Sequence, residues 1–225
     1  MTLVSVRVRV ETSEVQTSSV SPVTIRAVLF DFSGTLFRLE HDSLAAHAEL
    51  MRALTAPVGV AEGLDIPLDE WERRDLDPVA HREMHLAVLA KAGAPDPATF
   101  YENLCSPPFW QPYPDTAQAL GTELPTAVVS NIAWDVRAVF ARHGVDTRVD
   151  EYVLSYQEGF AKPDAKLFRI ACDRLGVHPS EVLMVGDSPE ADGGAAAIGC
   201  VVEIVDPLPT AARPDGLLQV LRKHI

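Results

Sequence analysis

Five short apolar runs, separated by helical patterns, constrain the fold of this chain more than any other feature. They are IRAVLF (25–30), TAVVS (126–130), EYVLS (151–155), EVLMVG (181–186) and CVVEIV (200–205). A strand with one wet face alternates apolar and polar residues, whereas a nearly continuous apolar run marks a strand covered on both faces. Between the later runs, residues 134–143 carry Val136, Val139 and Phe140 at helical spacing, and Gly144 follows as a stop. Residues 163–175 carry Leu167, Phe168, Ile170 and Ala171, with Pro163 expected at the first helical position and Gly176 at the end. Strands alternating with helices predict an α/β protein whose parallel sheet has helices on both faces.

One connection breaks the rhythm. Residues 31–125 separate the first two runs, against ~30 residues for a simple strand–helix–strand unit. The excess predicts an inserted, helical subdomain, placed at 41–111. Leu44, His47, Leu50, Met51 and Leu54 line one helical face, and residues 79–92 are periodic too. The turn-rich stretches APVGVAEG, GAPDP and SPPFWQPYP punctuate the insertion. The core is then residues 22–40 and 112–225. Residues 1–21 read as a loose N-terminal extension, or as an extra edge strand in which Val4, Val6, Val8 and Val10 alternate.

Composition excludes several classes of function. A chain of 225 residues, 47% hydrophobic and 23% charged, is ordinary for a globular protein and can bury a sizeable core. Its net charge of −13 repels phosphate backbones, so nucleic acid is not expected as a general partner. A small anionic substrate stays admissible, because one local cation outweighs a distant negative surface. Cys105, Cys172 and Cys200 are odd in number and far apart, which fits neither a disulfide framework nor a zinc site and suits a reducing compartment. No apolar run approaches the ~18–20 residues of a membrane span. The start, MTLVSVRVRVETSEV, lacks the apolar stretch of a secretory signal. The cytoplasm is the expected location.

Four polar pieces sit at or shortly beyond strand ends, where open α/β sheets bind their ligands. The first is Asp31-Phe32-Ser33-Gly34-Thr35-Leu36, directly after IRAVLF, and the second is Ser130-Asn131, after TAVV. The third is Lys162-Pro163-Asp164, beyond the loop SYQEGFA, and the fourth runs from Gly186 through Asp187 to Asp192, after VLMV. Any one of them alone is an ordinary turn or helix cap. Their order and placement make the combination specific.

The combination resembles the haloacid dehalogenase superfamily of hydrolases over about residues 25–205, and SYQEGFAKPDAKLF and GDSPEADGGAAAIG are similar to two of its motifs. The resemblance implies a Rossmann-like core, a helical cap inserted after the first motif, a Mg2+ ion and a covalent aspartyl intermediate. The residue chemistry is compatible with those roles. A carboxylate at Asp31 can attack phosphorus, which splits one hard step into two. A phosphate dianion needs positive charge beside that carboxylate, and a magnesium ion on hard oxygen ligands supplies it. Asp187 and Asp192 are suitable ligands, and the resemblance adds Asp31 and the Ser33 carbonyl. Lys162 can neutralise both Asp31 and a phosphoryl oxygen. Ser130 and Asn131, with free amides near Gly34, can donate to the phosphoryl oxygens.

The resemblance also separates the reactions within the superfamily. Its dehalogenases need no metal and lack the GDSxxxD pattern, so Asp187 and Asp192 together favour phosphorus chemistry. Phosphonatases use a cap lysine, for which Lys91 is the candidate. Phosphatases of the superfamily carry an aspartate two residues after the nucleophile, which protonates the leaving oxygen and then activates water. This chain has Ser33 there, and a hydroxyl does not act as a carboxylic acid near neutral pH. The sequence therefore predicts a Mg2+-dependent phosphohydrolase for a small phosphorylated metabolite, slowed by Ser33. The alternatives are a phosphotransferase, phosphonatase or dehalogenase on the same scaffold, or a non-catalytic phosphoryl-ligand binder. His81 and His85, one helical turn apart, read as packed positions in the core of the insertion, with a metal pair or a substrate contact as alternatives and either one as the nearest guess for a proton donor in place of Ser33. Arg73, Arg74 and Arg82 read as a solvated face, and Trp71 and Trp110 as packing residues.

Overall fold

The computed structural model describes residues 24–40 and 68–225. The expected extension 1–21 and the expected helical face from Leu44 to Leu54 lie outside the described residues.

From β1 (Ala27–Phe30) the chain turns through residues 31–36 into the short β2 (Phe37–Leu39). The described part of the insertion holds α1 (Leu68–Arg73), a 3-10 turn (Arg74–Leu76), α2 (Pro78–Lys91) and α3 (Pro97–Leu104). Pro78 occupies the first turn of α2, where no amide is needed, and the Asp77 side chain accepts from the amides of Val79 and Ala80. The chain returns through β3 (Trp110–Pro112), antiparallel to β2. There follow α4 (Thr116–Ala119), β4 (Thr126–Ser130), α5 (Arg137–Arg142), β5 (Glu151–Leu154), α6 (Ser155–Glu158) and α7 (Ala165–Leu175). Last come β6 (Val182–Gly186), a 3-10 segment (Asp192–Ile198), β7 (Val201–Ile204) and α8 (Gly216–His224).

The main sheet has the order β5-β4-β1-β6-β7, and each neighbouring pair is parallel. Phe30 is in register with both Val128 and Val185. Asp31, the Ser130 end of β4 and the Gly186–Asp187 turn therefore leave the sheet side by side. Alternate residues of the strands feed two cores, as the pleat requires. Val28, Phe30, Val128, Leu183 and Val185 pack with Val139 and Phe140 of α5 and Leu217 and Leu221 of α8. Ala27, Leu29, Val129, Val153 and Met184 pack with Leu167, Phe168 and Ala171 of α7. Trp71, Val88, Leu89 and Tyr101 form a third cluster inside the insertion.

Several local expectations change. Pro163 does not open α7: Asp164 is the cap, its carboxylate accepting from the Lys166 amide at 2.9 Å, and the Lys162–Pro163 peptide is cis. The fifth residue of EYVLS, Ser155, begins α6 instead of ending β5. The stretch SPPFWQPYP is not all turn, because β3 lies within it and runs across residue 111, where the sequence places the end of the insertion. His81 and His85 are buried as expected. Arg74 leaves the expected solvated face, since its guanidinium lies 4.3 Å over the Trp71 ring.

Candidate active site

Lys162 is buried at the carboxyl edge of the sheet, with its Nζ 2.8 Å from Asp31 Oδ1 and 2.6 Å from Asp192 Oδ1. Burial works against its charge, but Asp192 and Asp31 outweigh that and hold it above the ordinary lysine range. Asp31 is pushed up by burial, with Lys162 pulling it down and Asp192 adding to the rise. One oxygen from each of Asp31, Asp187 and Asp192 lies within 4.8 Å of the other two. Burial, then the charges of Asp31 and Asp192, push Asp187 up to about 7. The donor set is all carboxylate oxygen and carries more negative charge than Lys162 offsets. That combination fits a hard divalent cation.

Local structure explains the convergence. Asp192 folds back so that its Oδ2 accepts the Ser188 amide at 2.9 Å. A Cβ on Gly186 would lie 2.1 Å from that carboxylate, so only glycine leaves room for it. Gly34 has φ +74°, and a Cβ there would lie 2.2 Å from Asp187 Oδ2. The turn after β1 thus packs directly on the turn after β6.

Two of the expected phosphate contacts have protein partners in the structure. The Asn131 side chain is spent on the Lys162 backbone, donating to its carbonyl at 2.8 Å and accepting its amide at 2.6 Å. Those two bonds hold the lysine backbone in place. The Gly34 amide is likewise not free, since it donates to the Phe37 carbonyl at 2.8 Å. Ser130 is buried at the end of β4, and Ser33 is exposed beside Asp31.

Sequence reasoning missed two residues near the site. Arg213 is buried, its guanidinium 3.2 Å over the Tyr113 ring, and it donates to the carbonyls of Gly34 and Thr35, so it clamps the turn after Asp31. Asp75, in the 3-10 turn of the insertion, is also buried, and burial pushes it up to about 6 against the pull of Arg74 and Lys162. A lone arginine near the C-terminus and a lone aspartate in an RRD run gave no signal in the sequence.

A parallel sheet with an acidic, lysine-centred cluster at its carboxyl edge defines an α/β enzyme. The family follows from comparison with known proteins. A family model for haloacid dehalogenase-like hydrolases matches residues 25–199, and the chain belongs to that family. It is 30% identical over 199 residues to a glyceraldehyde 3-phosphate phosphatase of Methanopyrus kandleri, covering 79% of this chain and 82% of that one. A phosphatase of the family from Thermococcus onnurineus superposes with a TM-score of 0.54 at 25% identity, over 81% of this chain and 86% of the other. The L-2-haloacid dehalogenase from Xanthobacter autotrophicus superposes with a TM-score of 0.60 at 26% identity, over 87% of this chain and 83% of the other.

Proposed function

We propose that the protein is a magnesium-dependent phosphohydrolase that acts on a small phosphorylated metabolite through an aspartyl-phosphate on Asp31. The convergence of Asp31, Asp187 and Asp192 around Lys162 carries this reading. A dehalogenation site handles one departing halide and has no use for three clustered carboxylates. A phosphoryl site needs them to hold the cation that offsets its dianionic substrate. The phosphatase relative from Methanopyrus kandleri supports the substrate class.

Asp31, Asp187, Asp192 and the Ser33 carbonyl would hold the ion, whose divalent charge draws the phosphate towards a carboxylate that would otherwise repel it. Lys162 offsets part of the burial cost of ionising Asp31 and presents charge to a phosphoryl oxygen. Asn131 holds the lysine backbone in place. The Ser130 hydroxyl donates to the phosphoryl group, and the small Gly34 lets the turn close on it. Asp31 attacks phosphorus, the leaving oxygen departs, and water then cleaves the acyl phosphate. The insertion is the cap that covers this site.

Release of inorganic phosphate from an aryl phosphate, with and without magnesium, tests the proposal. Activity should require the metal, and Asp31→Asn should remove it by more than the ~10²–10⁴ typical of losing a general acid or base, because an amide is a poor nucleophile. Wild-type turnover in that variant would rule out the covalent route. The second reading, a dehalogenase, is favoured by the Xanthobacter structure, and halide release from a 2-haloacid without metal would establish it instead.

A further inference from the structure

The phosphohydrolase reading leaves a proton unassigned. An alkyl phosphate needs an acid for its leaving oxygen and a base for the attacking water, and Ser33 is neither. His81 and His85, the sequence's nearest guess for this task, do not serve it. His81 Nδ1 lies 2.9 Å from the Tyr101 hydroxyl, and His85 Nδ1 lies 2.7 Å from the His81 carbonyl. Burial lowers them to about 2 and about 4, so both stay neutral at working pH.

Asp75 is placed differently. Its carbonyl accepts from Ser155 Oγ at 2.6 Å, and that same oxygen accepts the Ile132 amide at 2.8 Å. Ile132 follows Asn131, which grips the Lys162 backbone from the end of β4. One hydroxyl therefore ties the 3-10 turn of the insertion to the strand end that would bind the phosphoryl group. The Asp75 carboxyl is buried between its own neighbour Arg74, with Nη2 at 3.4 Å, and His81 of α2, with Nε2 at 3.8 Å. It feels the charge of Lys162 from the core. A carboxyl in such surroundings exchanges a proton near neutral pH, as the task demands.

Resting on the phosphohydrolase reading, we propose that Asp75, supplied by the insertion, is the general acid and base of this enzyme, in the role that Ser33 leaves open. In the first step the Asp31 carboxylate forms its bond to phosphorus, the bond from phosphorus to the ester oxygen breaks, and the Asp75 proton passes to that oxygen to release the alcohol. In the second step the Asp75 carboxylate takes a proton from water as the water oxygen bonds to phosphorus. The bond from phosphorus to the Asp31 oxygen breaks, which releases inorganic phosphate and restores both aspartates.

Steady-state kcat/KM values for one alkyl and one aryl phosphate, which report the steps up to release of the alcohol, test this with the full chain and magnesium. Asp75→Asn should lower kcat/KM about 10²–10⁴-fold for the alkyl ester and less than about tenfold for the aryl ester, because an aryl oxide leaves without a proton, while kcat, limited by the common second step, should fall for both. In the wild type the ratio of alkyl to aryl kcat/KM should fall as pH rises through about 6, and in Asp75→Asn it should be flat. Adding Ser33→Asp to Asp75→Asn should restore alkyl turnover at least about tenfold, which also shows that the variant folds. Equal loss of kcat/KM for both esters, or a wild-type ratio independent of pH, overturns the role of Asp75 and leaves the phosphohydrolase reading standing. A wild type that releases phosphate from neither ester overturns both.

Discussion

Lys162 and Gly34 show how single residues set the site's electrostatics and spacing. Lys162 neutralises two buried carboxylates at once. Removing one partner of a buried ion pair strands the other charge and costs about 3–5 kcal/mol. Lys162→Met is therefore expected to lower metal-free stability at pH 7 by about that amount, read from urea unfolding, and added magnesium should recover part of it. The Gly34 position combines φ +74° with a Cβ that would meet Asp187 Oδ2 at 2.2 Å. Gly34→Ala should displace Asp187 and weaken magnesium binding at least about tenfold, equivalent to about 1.4 kcal/mol. Isothermal titration would detect this, and an unchanged affinity would take Asp187 out of the metal site.

At the scale of the elements, α2 carries its own pH dependence. The His81 and His85 rings lie 3.9 Å apart and are held neutral by burial, His85 at about 4 against 6.5 unfolded. A histidine whose folded pKa is lowered costs stability as pH falls below the unfolded value, because only the unfolded chain takes up the proton. For His85 the loss begins near 6.5 and is complete below about 4. Asp75, raised to about 6, acts in the opposite direction over the same window, so the difference between two proteins is the informative quantity. Relative to His85→Gln, the wild type should lose about 3 kcal/mol between pH 6.5 and 4, seen in denaturant midpoints or in hydrogen exchange of the α2 amides. A constant difference across that range would mean that His85 is not buried as a neutral ring. Ser155 is the matching device between elements, and its hydroxyl joins the insertion to β4.

For the molecule as a whole, a cation held by the acidic cluster should make stability depend on metal concentration. A ligand at 100 times its dissociation constant adds about 2.7 kcal/mol to the folded state. For a chain of this size that corresponds to a rise in melting temperature of roughly 5–10 °C. Magnesium should produce this rise in the wild type, and Asp187→Ala should abolish most of it. Because the chain carries a net charge of −13, that variant is the control for non-specific screening by the cation. An equal rise in both proteins would place the binding elsewhere.

The sequence by itself determined the sheet, because strands buried on both faces must be written as apolar runs, and those runs lie within two residues of β1, β4, β5, β6 and β7. It also determined where Asp31 and Asp187 emerge, since each follows its strand immediately. Tertiary structure decided how the remaining polar groups are spent. Asn131 turns onto the Lys162 backbone, the Gly34 amide goes to Phe37, Arg213 reaches back to the turn after β1, and Asp75 is tied to β4 through Ser155. Periodicity records which face of an element is buried. A polar side chain is paired by direction and distance, and its partners here lie on other elements, where no repeat in the sequence reaches.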